Sequence, residues 1–257
     1  DLKNLETNTE LSDFGGYAVR TGENGEIINM VFTSSGIQNT GKLSRGKYIR
    51  PERPTFNLFN SDFIEDSLFS SNAKLIGGEE TNTPYQDGPA VISEDGKKIF
   101  FTRSGRKNGR DAALHLNIWT ANYRNGELSR VDKNLSINND EYSVMHPSIN
   151  KDGTRLYFSS NNPNEGFGGF DIYYVNLDRN GRPSSKPINL GQGINTEGNE
   201  VFPFSYREDV LFFASDAHPG LGGLDVYMTV GLDTENQEVV NLGTPFNSSK
   251  DDFCFYI

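Results

Sequence analysis

One pattern limits this chain more than any other: an Asn or Asp leading into a short apolar segment, four times over. The copies are Asn57-Leu58-Phe59, Asn117-Ile118-Trp119, Asp171-Ile172-Tyr173 and Asp225-Val226-Tyr227, at steps of 60, 54 and 54 residues. A unit of that length cannot bury its apolar face alone and gains stability only by stacking on its neighbours. The third copy shows the parts. Pro147-Ser148-Ile149 is a short strand, Lys151-Asp152-Gly153 a tight turn, and Leu156–Ser160 a second strand. Gly166-Phe167-Gly168-Gly169-Phe170 leads into a third strand, Asp171–Val175; Asn180-Gly181 turns again, and Pro187–Leu190 closes the unit. Four-strand units at a period of about 40–60 residues are the signature of propeller blades. The predicted fold is therefore all-β, a β-propeller of four-stranded antiparallel blades. Its four complete repeats run roughly over 13–76, 87–135, 145–190 and 200–242, within a single propeller segment.

The remaining copies keep this order with local departures. The second repeat places its third strand at Asn117–Asn122 and its outer strand at Arg130–Leu135. The fourth has lost the turn glycine at Arg207-Glu208-Asp209. The first is the most divergent; its third strand is predicted at Phe56–Asn60, and its basic, apolar-poor insert from Gly36 to Pro54 reads as an exposed loop. Only Phe63–Asn72 has room for a turn of helix. Leu2–Leu5 reads as an outer strand of a preceding blade and Asp252–Ile257 as the inner strand of a following one, so the chain is expected to be a segment of a longer protein. Cys254, the single cysteine, is expected as a buried strand thiol.

Composition narrows the function classes. Hydrophobic residues make up 34%, but 18 Phe and 11 Tyr let many small aromatic cores form, and 27 Gly suit numerous tight turns. A formal net charge of −11 repels nucleic acid and bare anionic membranes. The longest apolar run, Val210–Ala214, is far short of the roughly 18 residues of a membrane helix, so no direct membrane insertion is expected. His115, His146 and His218 lack paired-ligand spacing, no Asp-x-Asp-x-Asp-Gly loop is present, and Asn138-Asn139-Asp140-Glu141 reads as an interblade turn. No metal and no cofactor are expected.

Several segments resemble the WD40-like repeats of TolB-type propellers: Pro147-Ser148-Ile149-Asn150-Lys151-Asp152-Gly153, Gly168-Gly169-Phe170-Asp171-Ile172-Tyr173 with Asn189-Leu190-Gly191 and Ile194-Asn195-Thr196, and again Gly222-Gly223-Leu224-Asp225-Val226-Tyr227 with Asn241-Leu242-Gly243 and Asn247. The grouping is similar to the propeller region of PorE-like envelope proteins, which also carry an OmpA-like peptidoglycan-binding domain. The resemblance is strong from about Asp87 onward and weak before it. It implies a scaffold in the periplasm, associated with the outer membrane, within type IX secretion or gliding machinery. Its partners would be outer-membrane or periplasmic proteins, with peptidoglycan bound only through a separate OmpA-like domain absent from this sequence.

Chemistry-bearing residues have structural readings. Glu141, Glu200 and Asp252 each precede an inner strand, so a ring of acids serving a two-carboxylate glycoside hydrolase is conceivable; their equivalent placement argues instead for capping interblade turns. No Gly-x-Ser-x-Gly elbow exists. In the Gly-Gly-x-Asp motif, Gly168, Gly169, Gly222 and Gly223 are expected to take positive backbone angles, with Asp171 and Asp225 accepting loop amides and Asn117 acting as a neutral acceptor. A sugar-binding propeller would need exposed aromatics, but Trp119 and Tyr173 lie on strands and should be buried. The candidates for protein contact are the loop tips Phe167 and Leu221, with His218 nearby, the alternative being that both tips fold back over their own blades. The sequence thus points to a non-enzymatic interaction scaffold, with a propeller hydrolase or carbohydrate-binding propeller as the alternative.

Overall fold

The computed structural model describes residues 8–10, 12–21, 26–36, 56–64, 68–69, 72–77, 85–105, 115–232 and 234–257. Among them no helix forms, and the strands assemble into four antiparallel meander sheets, the blades of a β-propeller. Contacts divide the chain into two units, residues 1–114 with 119–132, and residues 115–118 with 133–257.

In the first unit, blade one runs β1 (Asp13–Thr21), β2 (Glu26–Ser34), β3 (Asn57–Ile64), with β4 (Leu68–Phe69) and β5 (Lys74–Leu75) both pairing with β3. The stretch read as a turn of helix is corrected here: Phe63 pairs with Phe69 and Ile64 with Leu68, extending β3 into a small hairpin. Blade two runs β6 (Asp87–Ile92), β7 (Lys98–Ser104), β8 (Leu116–Arg124) and β9 (Glu127–Asp132); Leu116–Ile118 of β8 count with the second unit. Its outer strand begins three residues before the expected Arg130. Asn125-Gly126 takes positive φ at both positions (50° and 84°) and forms a two-residue hairpin that fixes Arg124 opposite Glu127. Val19, Val31, Leu58, Ile76, Ala90, Ile92, Ile99 and Phe101 form one core between the two blades, and the Tyr17 hydroxyl donates to the Ile92 carbonyl at 2.9 Å.

In the second unit, blade three runs β10 (Val144–Ile149), β11 (Arg155–Ser160), β12 (Asp171–Asn176) and β13 (Ile188–Asn189). Blade four runs β14 (Glu200–Arg207), β15 (Val210–Ser215), β16 (Asp225–Val230) and β17 (Glu238–Asn241). The second strands β11 and β15 are buried along almost their whole length. That explains why they read as continuous apolar runs rather than alternating ones. Tyr157 and Ile172 of blade three pack against Leu211, Phe213 and Tyr227 of blade four, each such side chain stabilising by about 1.5–3 kcal/mol relative to exposure.

The first strands carry a bulge at one recurring position. Gly15, His146, Phe202 and Cys254 all sit at positive φ (66°, 55°, 52° and 59°), and the ladder slips at β1, β10 and β14. In the second unit the bulge stacks His146 on Phe202 (ring centroids 3.7 Å apart) and Phe202 on Phe253 (4.9 Å). Residues 252–257 do not join a ladder, contrary to their reading as a strand. They lie against blade four in the way a first strand would, with Tyr256 on Phe204 and Phe255 on Phe212 (4.7 and 4.8 Å). Cys254 is half-buried rather than buried. The predicted strand Leu2–Leu5 and the insert from Ile37 to Pro54 lie outside the described residues.

Candidate functional site

The glycine loops ahead of β12 and β16 are built alike. The Asp171 carboxylate accepts the Phe167 N–H at 2.6 Å and the Asn189 amide at 2.9 Å. Asp225 accepts the amides of Leu221 and, at 3.2 Å, Gly222. Each loop is thereby drawn down onto the first residue of the strand that follows it. Gly168, Gly169, Gly222 and Gly223 do not have positive φ, which corrects the expected reason for glycine at these positions. A Cβ on Gly168 would collide with the backbone of Thr196 and Glu197, and one on Gly222 with the backbone of Lys250. Glycine is required because the loop lies directly on the next interblade turn. Asn117 occupies the corresponding place in blade two: its Oδ1 accepts the Asn139 N–H at 3.4 Å, as a neutral acceptor would, and the opposite amide orientation would donate to the carbonyls of Asn139 (3.2 Å) and Leu116 (3.3 Å).

The interblade turns supply the other half. Thr196 donates its N–H and hydroxyl to the Glu200 carboxylate (2.7 and 2.6 Å), and the Ser215 hydroxyl adds a third bond at 2.7 Å. Ser248 donates both groups to Asp252 in the same way (2.6 and 2.9 Å), and Thr9 does so to Asp13. Glu200 and Asp252 are therefore turn caps. Glu141 is exposed and contributes only its N–H, to Asn139 at 2.7 Å, so it is not equivalent to them. In blade two the acid is Asp87, paired across the ladder with Arg103 where other blades place Ser34, Ser160 and Ser215. Burial pushes the Asp87 carboxyl above its ordinary range, against the pull of Arg103.

Loop and turn alternate into one ridge across the second unit: the loop at 166–170, the turn at 196–199, the loop at 216–224 and the turn at 248–251. Contact is continuous, Gly168 on Glu197, Gly198 on Ala217, and Gly222 on Lys250. Phe167 and Leu221 project from it, 42% and 54% exposed. Glu165, Glu197, Asp216 and Asp251 are exposed around them, with Lys250 the one cation in these four segments. His218 does not join the tips. Its Nε2 lies 2.8 Å from the Ile194 carbonyl and its ring packs on Tyr227 and Phe213 (centroids 5.2 and 5.8 Å). Of the two strand aromatics, Tyr173 is buried and Trp119 half-buried beneath the Arg103 guanidinium. Among the described residues no group of three His, Cys, Asp or Glu side chains converges as a metal site would require.

No protein-family model matches the sequence, and no curated protein does. Solved structures of low identity are similar over most of this chain. A putative TolB from Agrobacterium tumefaciens is similar over 95% of this chain and 86% of its own, at 19% identity and a TM-score of 0.46. A thermostable family-43 glycoside hydrolase is similar over 92% and 74%, at 16% identity and 0.48. A puromycin-hydrolyzing peptidase of Mycobacterium tuberculosis is similar over 88% of this chain but only 30% of its own, at 15% identity and 0.49.

Proposed function

We propose that this chain is the propeller part of a non-enzymatic scaffold of the bacterial envelope, and that it docks a protein partner on the glycine-loop ridge. The observation that carries this reading is the pair Phe167 and Leu221: equivalent exposed apolar tips on backbone held by buried carboxylates, so that contact area is offered at little ordering cost. The acidic surroundings favour a partner whose facing surface is basic around apolar sockets. Commitment of the Glu200 and Asp252 carboxylates to turn amides and hydroxyls supports a scaffold over a two-acid hydrolase. The finer assignment rests on the sequence resemblance to PorE-like propellers: a periplasmic, outer-membrane-associated component of type IX secretion or gliding machinery, with peptidoglycan contact left to an OmpA-like domain.

Recovery of partners from envelope extracts by the full-length protein tests it, with the wild type compared with Phe167→Ser/Leu221→Ser. Loss of a specific partner from the double variant is expected. Identical recovery would reject docking on this ridge.

A further inference from the structure

We infer that the side of blade four turned away from blade three is an open interblade interface, and that its occupant is a further blade of the same repeat, continued in the full-length protein from the segment Asp252–Ile257. Two positions that recur along the chain carry this. The first is the residue ahead of the turn asparagines Asn138, Asn195 and Asn247, which accept the third-strand N–H groups of Ile118, Ile172 and Val226. Ile137 and Ile194 are buried there, whereas Phe246 is 48% exposed. The last two turns do not differ in backbone. Ile194 and Asn195 donate their N–H groups to the Gly191 carbonyl (3.1 and 2.8 Å), and Phe246 and Asn247 donate theirs to Gly243 (3.0 and 2.8 Å). What differs is the neighbour: Ile194 shares its core with Leu211 and Phe213 of the next blade's second strand and Tyr227 of its third.

The second position is the residue ahead of the first-strand bulge. Met145 and Val201 are buried, each opposite a residue of its own second strand, Ser159 and Ala214. Phe253, ahead of the bulged Cys254, is 40% exposed. Both openings call for one element, a second strand laid beside 252–257. The entry to that blade is already built. Asp252 caps the turn through Ser248 as Glu200 does through Thr196, and its N–H donates to the Leu224 carbonyl as that of Glu200 does to Phe170 (both 2.6 Å). The strands β11 and β15 show the chemistry of the incoming one: Leu156–Ser160 and Leu211–Ser215 each read leucine, two aromatics, a small residue and serine. The Ser215 hydroxyl donates to Glu200, and the matching serine would reach Asp252. A second copy would have to withdraw such a strand from its own blade, where β11 and β15 are paired on both sides. Continuation of the same chain supplies it through the short turn that joins first and second strands in each blade.

Hydroxyl-radical footprinting and hydrogen exchange of the purified full-length protein test this without reference to the glycine-loop ridge or its partner. Phe246 and Phe253 are expected to be labelled several-fold more slowly than Phe167, the exposed standard in the same molecule, and the amides of 253–257 to exchange as slowly as those of β14. Labelling of Phe246 and Phe253 at the rate of Phe167 would overturn the inference. So would protection that fades on dilution, which belongs to a second copy. Slow labelling combined with fast exchange at 253–257 would overturn it as well, because the cover is then not a paired strand.

Discussion

Asn195 holds Ile172 by both ends of its peptide environment: Oδ1 accepts the Ile172 N–H at 2.8 Å and Nδ2 donates to the Ile172 carbonyl at 2.9 Å. Asn247 does the same for Val226 (2.8 and 2.9 Å) and Asn138 for Ile118 (3.0 and 2.7 Å). Each turn thus staples the third strand of the blade before it. Asn195 is fully buried, whereas Asn138 is half-buried.

The staple makes a graded prediction. Asn195→Ala leaves the buried Ile172 N–H unmatched, while the Ile172 carbonyl keeps the Leu190 N–H at 3.1 Å; one orphaned buried donor is expected to lower stability by about 1–3 kcal/mol. Asn138→Ala, where water can reach the freed groups, is expected to cost about half as much. Urea midpoints give the stabilities, and hydrogen exchange should show the Ile172 amide losing protection first. Equal costs for the two substitutions would contradict the staple.

Asp87 and Arg103 form a bidentate pair, Nε to Oδ1 at 2.6 Å and Nη2 to Oδ2 at 2.8 Å, with Arg103 also over the rings of Phe101 and Trp119 (4.9 and 4.8 Å). Removing one partner strands the other charge in the core. Arg103→Met alone is therefore expected to cost about 3–5 kcal/mol, and Asp87→Leu/Arg103→Met to recover most of that loss. A double variant no more stable than the single one would show that the guanidinium stacking, not the ion pair, carries the stability.

Glycines of two kinds separate cleanly. Gly153 has φ +72° with nothing within 4 Å of a built Cβ, so Gly153→Ala costs only the left-handed backbone penalty, about 1–2 kcal/mol. Gly168→Ala has ordinary φ but collides with the Thr196 and Glu197 backbone. Overpacking against backbone that cannot yield is expected to cost about 3 kcal/mol. Thermal denaturation of the two variants decides between them. Gly168→Ala as mild as Gly153→Ala would place the loop away from the turn.

Much of this was legible in the residues, because hairpin glycines and aromatic strands repeat at a fixed step. The strands of blades three and four and the burial of Tyr173 follow from that step; that Phe167 and Leu221 stand exposed rather than folding back over their own blades did not, and only the structure shows it. The start of β9 was missed although Asn125-Gly126 announces it, since the apolar pattern around Val131 and Leu135 drew the strand too late. The role of the motif glycines was not legible: positive φ and close approach demand the same residue, and only the neighbour, Glu197 or Lys250, tells them apart. Nor could the first-strand bulges be read, because His146, Phe202 and Cys254 share no side-chain chemistry; they share a backbone position.

That bulge supplies the pH prediction. His146 Nδ1 accepts the Phe202 N–H at 3.3 Å and its ring stacks on Phe202, so the neutral imidazole is the form the fold holds. Burial drives its pKa down from 6.5 to about 3. A histidine with a depressed folded pKa takes up its proton more readily in the unfolded chain. Its contribution is therefore fully present above pH 6.5 and is lost as the pH falls from 6.5 toward 3, at up to about 1.4 kcal/mol per pH unit. Whatever the raised Asp87 carboxyl adds to the slope between pH 6.5 and 5 is common to the two proteins compared below. His146→Phe removes the titration while keeping an aromatic ring at a backbone position that Phe202 itself occupies in the next blade. Its urea midpoint is expected to stay nearly flat from pH 7 to 5 while that of the wild type declines. Parallel declines in the two proteins would mean that His146 is free to charge in the folded state.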